Sequence, residues 1–235
     1  MSTSNSLPCD HPPVPALGSA DLQMFSYLPG PLVEQTRAFF EAEDLLPSQL
    51  EARDNFIFLF GLQQDETYTE VTTLEELAEH LDAFFFAGLL TGVGGGRRIL
   101  RCLELEQDIF TAAPPTCGHG SYGDVHTSMP LGESRLEVCP SGEWAITISI
   151  NPNNQDGLPA PLHSLLEALV HEMVRSFLQS FICSRGSCQA ERTVALDPTH
   201  YRPLFVELLD SITSAIREWD KDLAAFYLLE DSANV

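Results

Sequence analysis

The chain has 235 residues, of which 44% are apolar, and its formal net charge at pH 7 is -22. This length allows one domain with a hydrophobic core that needs no disulfide bonds. Lys221 is the only lysine. Because nucleic acids and anionic lipids attract proteins chiefly through Lys and Arg, the charge argues against both as partners.

The sequence contains no stretch of about 20 consecutive apolar residues, the length that a membrane-spanning helix needs. The N-terminal residues have neither the positive region nor the apolar run of a secretory signal. We therefore expect an intracellular protein, in the cytoplasm or the nucleus, whose six cysteines are mostly reduced thiols.

The first part of the chain predicts a lead followed by helices. Residues 1–30 are rich in Pro, Ser and Gly, so we expect a mostly disordered N-terminal lead before a single domain at 31–235. Residues 31–46 have helical spacing of apolar positions, and 72–90 repeat that pattern more clearly. The apolar run at 56–62 fits either a buried strand or a turn of buried helix.

The middle of the chain predicts a small sheet. Strand-like patterns occur at 99–105, 134–139 and 143–150, and a long loop separates the first from the second. Helices return in the last third, at 161–182 and from 199 to 229. Helices, a short sheet and further helices predict an α+β fold.

The helix at 161–182 carries the clearest chemical signal, the pentapeptide HEMVR. His171 and Arg175 lie four residues apart, so they share one face of the helix. In HExxH zinc peptidases two histidines at this spacing ligate the metal, and the glutamate after the first acts as general base. Arginine stays protonated and cannot ligate zinc. An apolar stripe marks another face of the same helix: Leu162, Leu166, Leu169, Met173 and Phe177.

Three segments resemble the SprT-like zinc metallopeptidase family, in the same order. LLEALVHEMVRSFL at 165–178 resembles its active-site helix, and LDAFFFAGLL at 81–90 resembles an early helix. THYRPLFVELLDSI at 199–212 resembles the segment that supplies the last metal histidine. The CSRGSC loop at 183–188 is similar to the Cys-bearing insert of many members. The resemblance covers about residues 74–220 and implies a zincin-like domain, with a small sheet packed against the active-site helix.

The resemblance also implies roles for individual residues. His171 would be the first ligand of a Zn²⁺ ion, Glu172 the general base and His200 the last ligand. Arg175 stands where the family has its middle ligand. We expect His126 to replace that ligand, with His119 as an alternative from the same loop.

Two functions of different classes remain open. The first is a metal-dependent hydrolase acting on a peptide or small molecule, in which Arg175 stabilises an oxyanion or holds a substrate carboxylate. The second is an inactive pseudo-peptidase that binds a protein partner, in which Arg175 pairs with Glu172 or Glu167 and fills the cleft.

The remaining cysteines predict little by themselves. Cys183 lies twelve residues beyond His171, or roughly 18 Å along an unbroken helix. It is therefore too distant to share a mononuclear site with His171, and we interpret Cys183 and Cys188 as free thiols. Cys9 with His11 could bind a metal weakly, as could Cys117 with His119.

Overall fold

In the computed structural model the chain forms an α+β fold, which confirms the predicted class. The structure describes residues 9–19, 22–63, 70–93, 97–106, 132–154, 157–196, 203–224 and 226. The helices are α1 (Pro29–Phe40), α2 (Pro47–Gln63), α3 (Val71–Phe85), α4 (Leu162–Phe181), α5 (Gln189–Leu196) and α6 (Pro203–Trp219). The strands are β1 (Leu100–Leu105), β2 (Gly132–Val138) and β3 (Trp144–Ile150).

The three strands form one sheet in the order β1-β3-β2. β3 pairs in parallel with β1 and antiparallel with β2, where Ser134 lies opposite Ile148. The alternation of side chains along a strand places Ile146, Ile148 and Ile150 on one buried face. α4 packs against β2, β3 and α3, so the predicted active-site helix lies at the centre of the core.

The run at 56–62, for which strand and helix both fitted, belongs to α2, so the helix alternative is confirmed. Two other expectations about individual elements need correction. Residues 189–196, expected as loop, form the short helix α5. The final helix ends at Trp219 rather than 229, because Asp220 is extended and its side chain accepts a hydrogen bond from Asp222 N–H, which starts a 3₁₀ turn.

Part of the N-terminal range for which the sequence predicts disorder packs against the core. Leu17, Leu22 and Tyr27 are buried. Tyr27 forms a parallel bridge with Ile182, just after α4. Apolar residues spaced irregularly among prolines give no periodic signal, although each can fill a gap in a core.

No described helix is long and apolar enough to cross a membrane.

Candidate metal centres

Two groups of side chains with metal-site chemistry lie along α4. One is the predicted group in its middle, formed by His171, Glu172 and Arg175. The other, which we call the Cys/His cluster, consists of Cys9, His11, Cys183 and Cys188 and lies beyond the C-terminal end of α4.

In the first group, Glu172 points into the protein. Its side chain is 1% exposed, whereas those of His171 and Arg175 are 22% and 29% exposed. A Cβ atom at Gly132 of β2 would lie 3.0 Å from the Cγ of Glu172. The missing side chain at this strand position therefore makes room for the buried carboxylate.

Glu172 lies beside the imidazole of His171 and the guanidinium of Arg175. His171 Nδ1 lies 2.9 Å from Glu172 Oε1 and donates to it when protonated at that nitrogen. Arg175 Nη1 lies 4.0 Å from Glu172 Oε2, close enough for an ion pair but too far for a hydrogen bond. Among the described residues, Oε2 has no hydrogen-bond partner.

Opposing effects act on the pKa of Glu172, and the lowering ones prevail. Burial raises the pKa, while the hydrogen bond and charge of His171, the nearby hydroxyl of Ser134 and, least, the charge of Arg175 lower it. The carboxylate therefore stays ionised at neutral pH. The ring of His171 also makes a T-shaped contact with Phe205 of α6, with centroids 5.0 Å apart.

Of the three predicted metal histidines, only His171 can be placed. His126 and His200 lie outside the described residues. Within the described residues, no group of three metal-ligating side chains includes His171. Arg175 lies on the same face of α4 as expected, at a distance from Glu172 that fits the pairing proposed for an inactive protein.

The Cys/His cluster is the group of described residues that could hold a metal ion. One ligand atom from each of its four members lies within 4.8 Å of every other. Cys183 and Cys188 are buried, and Cys9 and His11 are partly buried. The structure thus joins two pairs from distant parts of the chain, since His11 and Cys188 are 177 positions apart.

Backbone hydrogen bonds explain how the two parts meet. Phe25 N–H donates to Ser180 O at 2.9 Å, and Tyr27 N–H donates to Phe181 O at 3.1 Å. Cys183 N–H in turn donates to Tyr27 O at 2.9 Å. These bonds hold the N-terminal segment against the end of α4. In the turn that follows α4, Cys188 N–H donates to Arg185 O, and this turn brings Cys188 back towards Cys183.

Polar contacts orient the four side chains. His11 Nδ1 lies 3.0 Å from Ser26 O and Nε2 lies 3.2 Å from Cys188 Sγ. Cys9 Sγ lies 2.7 Å from Ser187 Oγ, and Cys183 Sγ accepts the backbone N–H of Arg185 at 3.4 Å.

The thiols differ in acidity. The pKa of Cys188 is raised to about 11, mainly by burial and also by its neighbours Cys9 and Cys183, while the hydrogen bond with Ser187 lowers it. The pKa of Cys9 is lowered instead, mainly by the hydrogen bond with Ser187. Without a bound metal ion, Cys188 therefore stays a neutral thiol at pH 7.

Sequence reasoning considered Cys9 with His11 as a weak site and Cys183 with Cys188 as free thiols, and so missed that they form one group. The available signal was the spacing inside each pair, Cys-x-His and Cys-x₄-Cys, which together supply the four ligands of a closed zinc site. Nothing local indicates that the pairs meet.

No protein-family profile, no curated protein and no solved structure matches the chain. The resemblance to SprT-like peptidases therefore remains a prediction that rests on the segments quoted above.

Proposed function

We propose that this protein is an inactive relative of zinc peptidases, with a zincin-like domain, that acts by binding a protein partner. The observation that carries the proposal is the state of Glu172. One of its oxygens contacts His171, the other is buried on the Arg175 side, and the side chain is 1% exposed. A general base must reach the proton of a water molecule, and this carboxylate offers no exposed oxygen for that purpose.

Arg175 supports the same conclusion through its charge. A guanidinium on the ligand face of α4 repels a metal cation and compensates the charge of Glu172, so that the centre is neutralised without zinc. The net charge of -22 favours a partner with a basic protein surface over nucleic acid or anionic membrane.

The experiment replaces Arg175 to restore the missing ligand. We expect the wild type not to hydrolyse a mixed-sequence peptide library with added Zn²⁺. Arg175→His should bind one more zinc ion per chain than the wild type, because it recreates two histidines at i and i+4. Arg175→Gln is the matched control, since it also removes the charge but adds no ligand, and it should bind no additional zinc.

Two outcomes would contradict the proposal. Hydrolysis by the wild type that disappears in His171→Ala would identify an active enzyme. Failure of a folded Arg175→His variant to gain zinc would remove the support for a zincin-like arrangement of α4.

The binding role has its own test, the salt dependence of partner capture from a cell extract. A partner held by charge should be retained at 0.1 M salt and released at 1 M, because the Debye length falls from about 10 to about 3 Å. Recovery of mainly acidic proteins, or of none, would count against this role.

A hydrolase is the second candidate, and the adjacency of His171 and Glu172 on α4 favours it, because an HExxH site places its first ligand and its general base in this order. In that case His171, His200 and His126 would hold Zn²⁺ and Arg175 would stabilise developing negative charge. Loss of one bound zinc in His171→Ala or His200→Ala would support this candidate.

A further inference from the structure

We propose that Cys9, His11, Cys183 and Cys188 bind one Zn²⁺ ion in a closed Cys₃His centre that fastens the N-terminal segment to the end of α4. This inference is independent of the function proposed for His171, Glu172 and Arg175, because it uses none of those residues.

The distances support a single ion. In a tetrahedral site with zinc–sulfur bonds of about 2.3 Å and zinc–nitrogen bonds of about 2.0 Å, ligand atoms lie roughly 3.5–3.8 Å apart. The four ligand atoms here lie within 4.8 Å of one another, and His11 Nε2 is 3.2 Å from Cys188 Sγ. Shifts of about 1 Å in flexible side chains would bring them to the tetrahedral separation.

The orientation of His11 is that of a metal ligand. Ser26 O can only accept a hydrogen bond, so the 3.0 Å contact places the ring proton on Nδ1. The lone pair of a neutral ring then lies on Nε2, the nitrogen that faces Cys188. Ligating histidines are usually held in this way, with the second nitrogen bonded to a carbonyl or carboxylate.

The donor set selects the metal class. Three thiolates and one imidazole in a tetrahedral arrangement suit Zn²⁺, whereas Mg²⁺ and Ca²⁺ require oxygen ligands. Binding replaces three S–H bonds with zinc–sulfur bonds and releases three protons to solvent. The site then carries a charge of -1, and the Arg185 N–H that points at Cys183 Sγ helps to stabilise it.

All four ligand positions are filled by protein, which is typical of structural zinc rather than catalytic zinc. The ligands come from residues 9–11, before the first helix, and 183–188, after α4. The ion would therefore cross-link two segments that otherwise meet through the hydrogen bonds around Tyr27.

The test is the metal content of the full chain, purified under reducing conditions without a chelator or a histidine tag. We expect about one zinc per wild-type chain by elemental mass spectrometry, and a loss of at least about tenfold in zinc affinity in Cys188→Ser and in His11→Ala. Cys139→Ser and His163→Ala, which changes an exposed histidine of α4 outside both groups, are the matched controls, and both should keep the ion.

A second readout guards against variants that fail to fold. Co²⁺ added to metal-free wild type should give thiolate-to-cobalt charge-transfer absorption, and Cys139→Ser should give the same spectrum. Folded, reduced wild type that neither contains zinc nor binds it on titration would overturn the proposal. So would a disulfide between two of the three cysteines in protein prepared without oxidant, or an ion that is lost in His171→Ala but kept in Cys188→Ser.

Discussion

The two groups along α4 both place polar side chains in the protein interior, but they differ in the cations that lie beside them. Around Glu172 the protein supplies its own cation, because Arg175 lies 4.0 Å from the carboxylate. In the Cys/His cluster, Arg185 donates its backbone N–H to Cys183 Sγ, and its charge is only the smallest of the causes that lower the pKa of Cys9. A carboxylate whose charge is already compensated gains little from a metal ion, whereas converging thiols that form no ion pair of this kind gain more.

The groups also differ in what they hold together. His171, Glu172 and Arg175 belong to a single helix, so their spacing along it follows once α4 forms. The Cys/His cluster joins segments 177 positions apart. A metal in the cluster would therefore affect the attachment of the N-terminal segment, while a change at Glu172 would affect the packing of α4 on β2.

The largest expected effect comes from removing metal from the cluster. After treatment with a chelator and a reductant, the amides of Phe25, Tyr27 and Cys183 should exchange with solvent at least about tenfold faster, because local opening no longer has to break the cross-link. Amides in the middle of α4 should keep their protection. Hydrogen exchange read by mass spectrometry checks this, and equal deprotection of both regions would contradict the distinction between them.

Glu172→Ala should have the next largest effect. The substitution removes the partner of His171 and Arg175 and leaves a gap under β2, so we expect the free energy of unfolding to fall by about 1–3 kcal/mol. Urea denaturation at saturating zinc measures it. Glu34→Ala, which removes an exposed carboxylate from α1, should stay within about 0.5 kcal/mol of the wild type. A loss of that small size in Glu172→Ala would mean that the buried carboxylate contributes little.

The smallest effect is a change in pH dependence. Because the folded pKa of Glu172 is lowered, its ionisation stabilises the fold above the unfolded pKa of about 4.5, and this contribution is lost as pH falls through the folded pKa. Glu172→Gln should therefore lose less stability than the wild type below pH 4.5. The comparison should use metal-free, reduced protein, so that protonation of zinc ligands does not contribute. Parallel stability curves for the two proteins would argue against the lowered pKa.

The cysteines show why the second group could not be predicted as a unit. CDH at 9–11 and CSRGSC at 183–188 were both visible, but each offers two ligands where a structural zinc needs four. The estimate that Cys183 lies too far along the helix to share a site with His171 agrees with the structure, which places the two in separate groups. Nothing in the sequence indicates which segment covers the end of α4, so it predicts no further ligands beside Cys183 and Cys188.

The sequence by itself determined the α+β class, the three strands, and the placement of His171, Glu172 and Arg175 on one helix. These follow from local periodicity, because side chains three or four positions apart on a helix must be neighbours. Only the tertiary structure decided that Glu172 turns inward beneath Gly132 and that residues 9–11 meet residues 183–188. Both outcomes depend on which surfaces pack together, and irregular segments joined by a few backbone hydrogen bonds carry no periodic signal of their distant partners.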